Sequence, residues 1–180
     1  MAIVASDIKF RLSTTSGSQG NSVAGTIANA LGKYASTTDI ADGVLNNVFD
    51  DVSGSENAAL DVEYRCVFIY NSHATLTYQN AVVWMDSQVA GGADCAIGVD
   101  PTAASGVNAT SAQAVQVANE DTAPAGVTFQ TTPVSRATAL ALGNIGPGQV
   151  KAVWIRRSAT NSAPLASDGV TLAVSGDTAA

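Results

Sequence analysis

Hydrophobic and polar residues alternate along several short stretches of the chain, as expected for β-strands with one buried face. In residues 6–13, Ile8, Phe10 and Leu12 alternate with charged residues. Residues 61–71 are different, because both faces of this stretch are apolar at its centre. A strand with two apolar faces is covered on both sides, so we predict that 61–71 is an inner strand.

Strand-like segments continue along the chain, separated by Gly, Pro, Asn and Asp. They are residues 75–87, 95–99, 126–130, 136–142, 149–157 and 169–176. A short helix around 27–34 is an option, but no long segment keeps a helical period. The interruption at Gln79 and Asn80 suggests a bulge or a corner. The pattern predicts an all-β fold, an antiparallel β-sandwich of jelly-roll or Ig-like type with about eight to ten strands.

One long segment near the N-terminus breaks the strand pattern. Residues 14–39 are rich in Gly, Ser and Thr and predict an extended segment rather than a core element. Loops of this length are usually functional or disordered, and the functional version is an arm that reaches onto a neighbouring subunit. We therefore divide the chain into 1–43, an N-terminal strand with an extended arm, and 44–180, the β-sandwich domain.

Composition adds a prediction about the surface. The chain of 180 residues is 46% hydrophobic and only 13% charged. It can bury a sizeable core, while Ala, Ser, Thr, Gly and Asn must cover much of its outside. Small polar side chains lose little entropy when they pack against a neighbour, which favours a component of an assembly. Secreted β-proteins share this composition.

Charge and hydropathy exclude two classes of partner. The formal net charge is −7, and the eight basic residues are scattered apart from one pair. Binding to a phosphate backbone requires clustered Lys and Arg, so we predict no nucleic-acid partner. No apolar stretch approaches the length of a membrane span, and the N-terminus lacks the pattern of a secretory signal. We expect no membrane association.

Residues that could carry chemistry are few. His73, the single histidine, falls in a predicted turn, and no G-x-S-x-G elbow accompanies it. The carboxylates between residues 50 and 63 could form a glycosidase pair, but solvated loop charge is the better interpretation. Cys66 and Cys95 are expected to be free thiols, with a disulfide as the alternative, and one histidine cannot complete a zinc site with them. We predict no enzyme activity, no cofactor and no metal.

Two adjacent arginines end the segment 149–157, which begins after a predicted type II turn at Pro147 and Gly148. Because side chains alternate along a strand, Arg156 and Arg157 should lie on opposite faces of the sheet. We expect one to pair with a carboxylate from 50–56, Asp61 or Glu63, and the other to face solvent or a partner. The alternative is that the two arginines have no binding role and are simply charged residues at the point where the strand leaves the core.

A candidate interface combines these arginines with polar residues of the arm. Its members are Arg156, Arg157, Thr14, Thr15, Ser16, Ser22, Lys33 and Tyr34. Exposed aromatic residues could form a sugar-binding platform instead, but the aromatics mostly occupy strand positions with core periodicity.

Four stretches resemble small structural proteins of tailed bacteriophages. They are "VFDDVSGSENAALDVEYRCVFIYNSHATLTYQNAVVWM", "NEDTAPAGVTF", "LGNIGPGQVKAVWIRRSATNSAP" and "DGVTLAVSGDT". The resemblance covers approximately residues 44–178 and consists of strands and turns, so it carries over no catalytic residue. It implies a virion protein: a β-sandwich capsid cement or decoration protein, or a component of the neck or tail.

The leading hypothesis is a non-enzymatic cement protein on the outer capsid surface, with the major capsid protein and copies of itself as partners. An acidic protein facing packaged DNA would be repelled, which favours the outside of the shell. We expect it in the virion, after assembly in the cytoplasm of a bacterial host. The alternatives are a neck, tail or baseplate component and, from another class, a carbohydrate-binding or adhesin module.

Overall fold

The computed structural model describes residues 2–178. Its strands are β1 (Ile8–Thr14), β2 (Tyr34–Asp39), β3 (Val62–Asn71), β4 (Tyr78–Gln88), β5 (Asp94–Val99), β6 (Ser105–Gly106), β7 (Leu140–Ile145), β8 (Gln149–Ser158) and β9 (Val170–Thr178). One short helix, α1 (Gly54–Ala59), precedes β3, and 3₁₀ turns occupy Ala5–Asp7, Ile27–Asn29 and Arg136–Thr138.

The strands form two antiparallel sheets that pack face to face. The large sheet has the order β2-β1-β3-β8-β5, and the short β6 pairs with β8 next to it. The small sheet has the order β7-β4-β9. The predicted all-β sandwich is confirmed. The long strands β3 and β8 pair in register from Val62 and Ser158 to Tyr70 and Val150, at the centre of the large sheet.

The main core lies between the two sheets. Val67 and Ile69 of β3 and Val153 and Ile155 of β8 are almost completely buried there. From the small sheet they meet Val83 and other apolar side chains of β4, β7 and β9. These residues occupy every second position along their strands, so the alternation in the sequence places them on one face.

A second core covers the opposite face of the large sheet. Cys66 and Phe68 of β3 and Trp154 of β8 are fully buried. Loop residues cover them, with Ala114 and Val117 among the closest neighbours. The large sheet is therefore covered on both faces, which confirms the prediction for 61–71 and explains why that stretch is apolar throughout.

The predicted arm lies against its own chain. Residues 34–39 form β2, which pairs with β1, and β1 pairs with β3. Backbone bonds from Asn21 N–H to Ala35 O (2.7 Å) and from Thr37 N–H to Val23 O (2.9 Å) hold the preceding segment along the outer edge of β2. Both strands of this N-terminal region, β1 and β2, thus belong to the same sheet as β3 and β8.

Hydrogen bonds explain why polar residues of this segment are buried. Ser36 Oγ donates to Leu12 O (2.7 Å), and Ser13 Oγ accepts from Gly32 N–H (3.0 Å). A buried hydroxyl with a partner costs little, so a Ser/Thr-rich stretch can enter a sheet. Its composition concealed the strand because hydroxyl side chains dominate where apolar ones were expected.

Three further local predictions are corrected. Residues 126–130 are not a strand, since only a single bridge joins Gln130 to Ile97 of β5. The optional helix at 27–34 is a 3₁₀ turn followed by the start of β2. The helix α1, absent from the prediction, begins at a capping box in which Ser53 and Glu56 bond to each other's backbone N–H.

Two turn predictions are confirmed. Register shifts in the pairing of β4 occur at 78–82, where the bulge was expected, and Asn80 has a φ of 49°. In the turn before β8, Gln149 N–H donates to Gly146 O (3.1 Å), and Gly148 has the positive φ of 68° that a type II turn requires.

Candidate interaction surface

Arg156 and Arg157 point to opposite faces of the large sheet, as the alternation predicts. Arg157 faces the small sheet and is 9% exposed. Its Nε donates to Glu63 Oε2 (2.7 Å), and its guanidinium also pairs with Asp50 (3.5 Å). The expected pairing with a carboxylate of 50–56 or with Glu63 is confirmed, since Arg157 bonds both.

Arg157 belongs to a larger cluster at one end of the sandwich, which we call the arginine cluster: Asp50, Glu63, Arg65, Glu120 and Arg157. Arg65 is 1% exposed and pairs with Glu120 and, at 3.9 Å, with Asp50. The ring of Phe49 lies 4.6 Å from the Arg157 guanidinium carbon and 5.5 Å from that of Arg65. The cluster anchors the segment around residue 50 to the sheet.

The carboxylates between residues 50 and 63 differ in their exposure and in their partners. Glu63 is buried, and burial raises its pKa, while the hydrogen bonds from Arg157 offset part of that shift. Glu56 accepts the backbone N–H of Ser53, and this bond lowers the pKa of Glu56. Asp61 accepts from Val62 N–H (2.8 Å). Asp50 and Asp51 are exposed, as expected for solvated loop charge. The buried Glu63 is the member for which that prediction is wrong.

Arg156 faces the loop-covered side, where it makes no ion pair within residues 2–178. Its guanidinium carbon lies 5.7 Å from the ring centre of Phe129. Its buried Nε has no hydrogen-bond partner in the same part of the chain. Arg156 is therefore the arginine of the two that has no carboxylate partner in the described chain.

The polar residues of the candidate interface fall into separate places. Thr14 pairs with Tyr34 in the sheet, and both are buried. Lys33 lies beside them, with its Nζ 3.4 Å from Thr15 O. Ser16 and Ser22 are exposed, and Ser22 Oγ donates to Gln19 O (2.6 Å). Thr14 and Tyr34 cannot face a partner, so only part of the expected set is available on the surface.

Ion pairs within the chain leave an acidic surface. Five of the eight basic side chains (Lys9, Arg11, Arg65, Arg136 and Arg157) pair with five of the fifteen carboxylates in the described part of the chain. Ten carboxylates and three basic side chains thus remain outside such pairs. One of the three, Lys151, is itself buried. The charge outside ion pairs is therefore strongly negative, while the paired Lys9 and Arg136 also lie at the surface.

Lys151, Asp100 and Trp154 form a buried polar group that the sequence pattern did not reveal. Lys151 Nζ donates to the backbone oxygens of Asp100 (2.7 Å) and Thr102, and burial lowers the pKa of Lys151. The Asp100 carboxylate accepts from Trp154 Nε1 (2.8 Å) and from Val115 N–H (2.9 Å). This group holds the loop after β5 onto β8. The apolar sequence around Trp154 predicted a core strand, but it did not indicate that the Asp100 carboxylate would bond to Trp154.

The residues considered for chemistry have structural roles. His73 Nδ1 accepts the backbone N–H groups of Thr75 (3.1 Å) and Leu76 (3.0 Å), which shapes its turn. Cys66 and Cys95 are free and buried, which confirms that prediction. Burial raises the pKa of Cys95 to about 11 and raises that of Cys66 well above its ordinary value. Residues 2–178 contain no group of three His, Cys, Asp or Glu side chains that could hold a metal ion.

An apolar groove opens on one side of the sandwich, between the two sheets. Its volume is about 410 Å³. It is lined by Ile3, Val4, Ala5, Ile8, Phe10, Tyr78, Val174, Ser175 and Gly176. β1 contributes Ile8 and Phe10 to this lining, and β9 contributes Val174, Ser175 and Gly176. Val4 at its rim is 57% exposed.

Comparison of the chain with protein-family models, with curated proteins and with solved structures found no match. Within residues 2–178, no helix has the length and apolar character needed to cross a membrane.

Proposed function

We propose that this chain is a non-enzymatic bacteriophage virion protein that binds the outer surface of the capsid as a cement or decoration protein. The major capsid protein and further copies of this chain are its partners. The proposal draws on the resemblance of residues 44–178 to tailed-phage structural proteins. It takes its physical support from the fold and the charge of the surface.

The observation that carries the proposal is the distribution of charge. Five of the eight basic side chains are in internal ion pairs, and ten carboxylates but only three basic side chains stay outside such pairs in the described chain. A surface of this kind is repelled by DNA and suits the outside of a DNA-filled shell. Positions on the inner wall are correspondingly unfavourable.

The exposed part of the segment 14–33 offers a contact surface of suitable chemistry. This part of the chain carries four small and exposed residues, Ser16, Gly17, Ser18 and Ser22. They lie on a segment whose backbone is hydrogen-bonded to the sheet. Small side chains on a fixed backbone lose little entropy on binding. Many such weak contacts, repeated by the symmetry of a shell, add up to firm attachment.

A reconstitution experiment tests the proposal. Purified protein is added to capsids that lack it, and bound protein and resistance to heat or osmotic shock are measured. We expect saturable binding in proportion to the major capsid protein and restored resistance. Particles of unchanged stability would contradict the cement role.

A matched pair of variants locates the contact. Ser22→Trp places a large ring on the segment 14–33 and should block capsid binding. Asn144→Trp makes the same change at an exposed position of β7 and should bind normally. Equal binding of both variants would place the contact elsewhere.

Other outcomes point to the alternatives. A copy number limited to one ring per particle, with density at the portal vertex in cryo-electron microscopy, indicates a neck or tail component. Half-buried Trp84 on the outer face of the small sheet is one aromatic residue that a carbohydrate-binding module could use. Its Nε1 donates to Asp86 Oδ1 (3.0 Å). Glycan-array binding that is lost in Trp84→Ala would favour that class.

A further inference from the structure

The edges of the two sheets are protected very unequally. An unpaired strand edge offers a row of N–H and C=O groups to any other strand, and proteins usually cover it, charge it or distort it. The outer edge of β2 is covered by Asn21 and Val23, and that of β5 by the bridge from Gln130. Both edges of the large sheet are therefore covered by the chain itself.

One edge of the small sheet is distorted. β7 has six residues, its pairing with β4 contains two register shifts, and Gly143 within it has a φ of 79°. A short and irregular strand is a poor template for another strand.

The remaining edge, β9, is less protected. Its pairing with β4 also contains two register shifts, but in both of them the extra residue lies in β4, so β9 itself stays regular. The strand is nine residues long, contains no Pro or Lys, and has Asp177 near its end as its one charged residue. It pairs with β4 on one side. Within residues 2–178, its other side makes no backbone hydrogen bond. Beside this edge lies the apolar groove, which Val174 and Gly176 of β9 help to line.

We propose that the free edge of β9 pairs antiparallel with β9 of a second copy of this chain across a twofold axis. The two small sheets would then join into one sheet of six strands, and the partner would cover the groove. This inference deepens the proposed function and rests on it for the place of the dimer in a virion.

The sequence of β9 favours this geometry over others. An antiparallel pair centred on Val174 places Asp177 opposite Thr171 of the partner, so the two carboxylates stay apart. A parallel pair in register would place each Asp177 beside its copy, which is unfavourable. The twofold arrangement also uses both free edges at once, so it closes at a dimer and does not continue into a fibre.

The side chains of β9 suit the same arrangement. Val170, Leu172 and Val174 point inward and pack on the main core. Ala173 and Ser175 pair with Trp84 and Val82 of β4 and lie on the outer face. Small outer side chains let a second backbone approach to the spacing of a sheet.

The test uses the purified full-length chain and two matched lysine variants. Val82 of β4 pairs with Ser175 on one side and with Ala141 of β7 on the other, so these positions are equivalent on the two edges. Sedimentation equilibrium should show a dimer of the natural chain. Ser175→Lys should weaken the dimer at least about tenfold, and Ala141→Lys should leave it unchanged. A monomeric natural chain, or equal effects of the two variants, would overturn the proposal.

Cysteine crosslinking gives a readout that does not depend on the lysine variant folding. Chains with Ala173→Cys and chains with Ser175→Cys, whose cysteines lie opposite each other in a pair centred on Val174, are mixed, oxidised and compared with Ala141→Cys. The native Cys66 and Cys95 are buried and should not interfere. We expect a disulfide-linked dimer from the mixture of the two β9 variants and none from Ala141→Cys. Crosslinking at neither edge would mean that a second copy does not occupy β9.

The outcome is separable from that of the proposed function. A dimer through β9 that fails to bind capsids leaves this inference intact and removes the cement role. Capsid binding by a chain that stays monomeric in solution would support the cement role and overturn the dimer through β9. Loss of virion incorporation in Ser175→Lys without any dimer of the natural chain would assign the edge to a strand of another protein and overturn the self-pairing.

Discussion

The neighbouring arginines at the end of β8 provide a sharp test of the fold, because they differ only in the face that they occupy. Arg157→Met removes one partner of a buried ion pair and leaves Glu63, which is 5% exposed, without its main hydrogen-bond donor. Breaking such a pair from one side costs about 3–5 kcal/mol. Arg156→Met removes a guanidinium that lies over Phe129 and makes no ion pair in the described chain. We expect it to cost about 1 kcal/mol or less.

Urea unfolding followed by tryptophan fluorescence measures both variants, since Trp84 and Trp154 report on the two sheets. The double variant Arg157→Met with Glu63→Met adds a control. Because it removes both charges, its loss of stability should be smaller than the sum of the two single losses by at least about 1 kcal/mol. If Arg156→Met destabilises as much as Arg157→Met, or if the two single changes add, the buried pair does not stabilise this end of the sandwich.

Four further predictions concern the backbone and the titratable groups. Gly32 and Gly43 both have positive φ, but a Cβ at Gly32 would lie 1.8 Å from Val115 O, whereas one at Gly43 meets nothing within 4 Å. We therefore expect Gly32→Ala to prevent stable folding and Gly43→Ala to cost only about 1–2 kcal/mol in thermal or urea unfolding. Cys66 and Cys95 should resist alkylation in the native protein at pH 8 and react once it is unfolded, and rapid labelling of either without unfolding would contradict their burial. Burial raises the pKa of Cys95 from 9.0 to about 11, so the folded state holds that proton more tightly than the unfolded state. The free energy of unfolding should therefore fall by up to about 3 kcal/mol as the pH rises from 9 to 11. Cys95→Ala should lack this loss. Burial raises the pKa of Asp39, but the hydrogen bonds from its two basic partners outweigh it and keep the pKa below its usual value. Its contribution is complete above the unfolded pKa of about 4 and is lost as the pH falls, so Asp39→Asn should flatten the acid side of a plot of melting temperature against pH.

The candidate site shows which features follow from a few consecutive residues and which depend on distant segments. The opposite orientations of Arg156 and Arg157 could be predicted, because the alternation of a strand is a property of a few consecutive residues. The pairing of Arg157 with Glu63 was one of several options, since it depends on β3 and β8 lying side by side. Arg65 and Glu120 were not expected to join the same cluster, because a loop far along the chain supplies the second carboxylate.

The segment 14–39 shows how far composition alone can predict the fold. Its Gly, Ser and Thr content predicted an arm, because such residues rarely fill a core. In the structure, β2 belongs to the large sheet, and hydroxyl groups such as that of Ser36 are satisfied by backbone oxygens. Whether a polar stretch can be buried depends on the partners it finds, and those are supplied by other segments.

The sequence by itself determined the periodicity of two, the positions of most strands and turns, the low charge and the two apolar faces of β3. These features follow from local backbone geometry and from composition, so no knowledge of distant contacts is needed. Tertiary structure alone decided which carboxylates meet which arginines and that the Thr/Ser-rich segment covers the edge of β2. It also decided that β9 is left as the one long and regular edge whose outer side makes no backbone hydrogen bond in the described chain. Each of these depends on which distant segments come together, and the free energy of those contacts is absent from any short stretch of sequence.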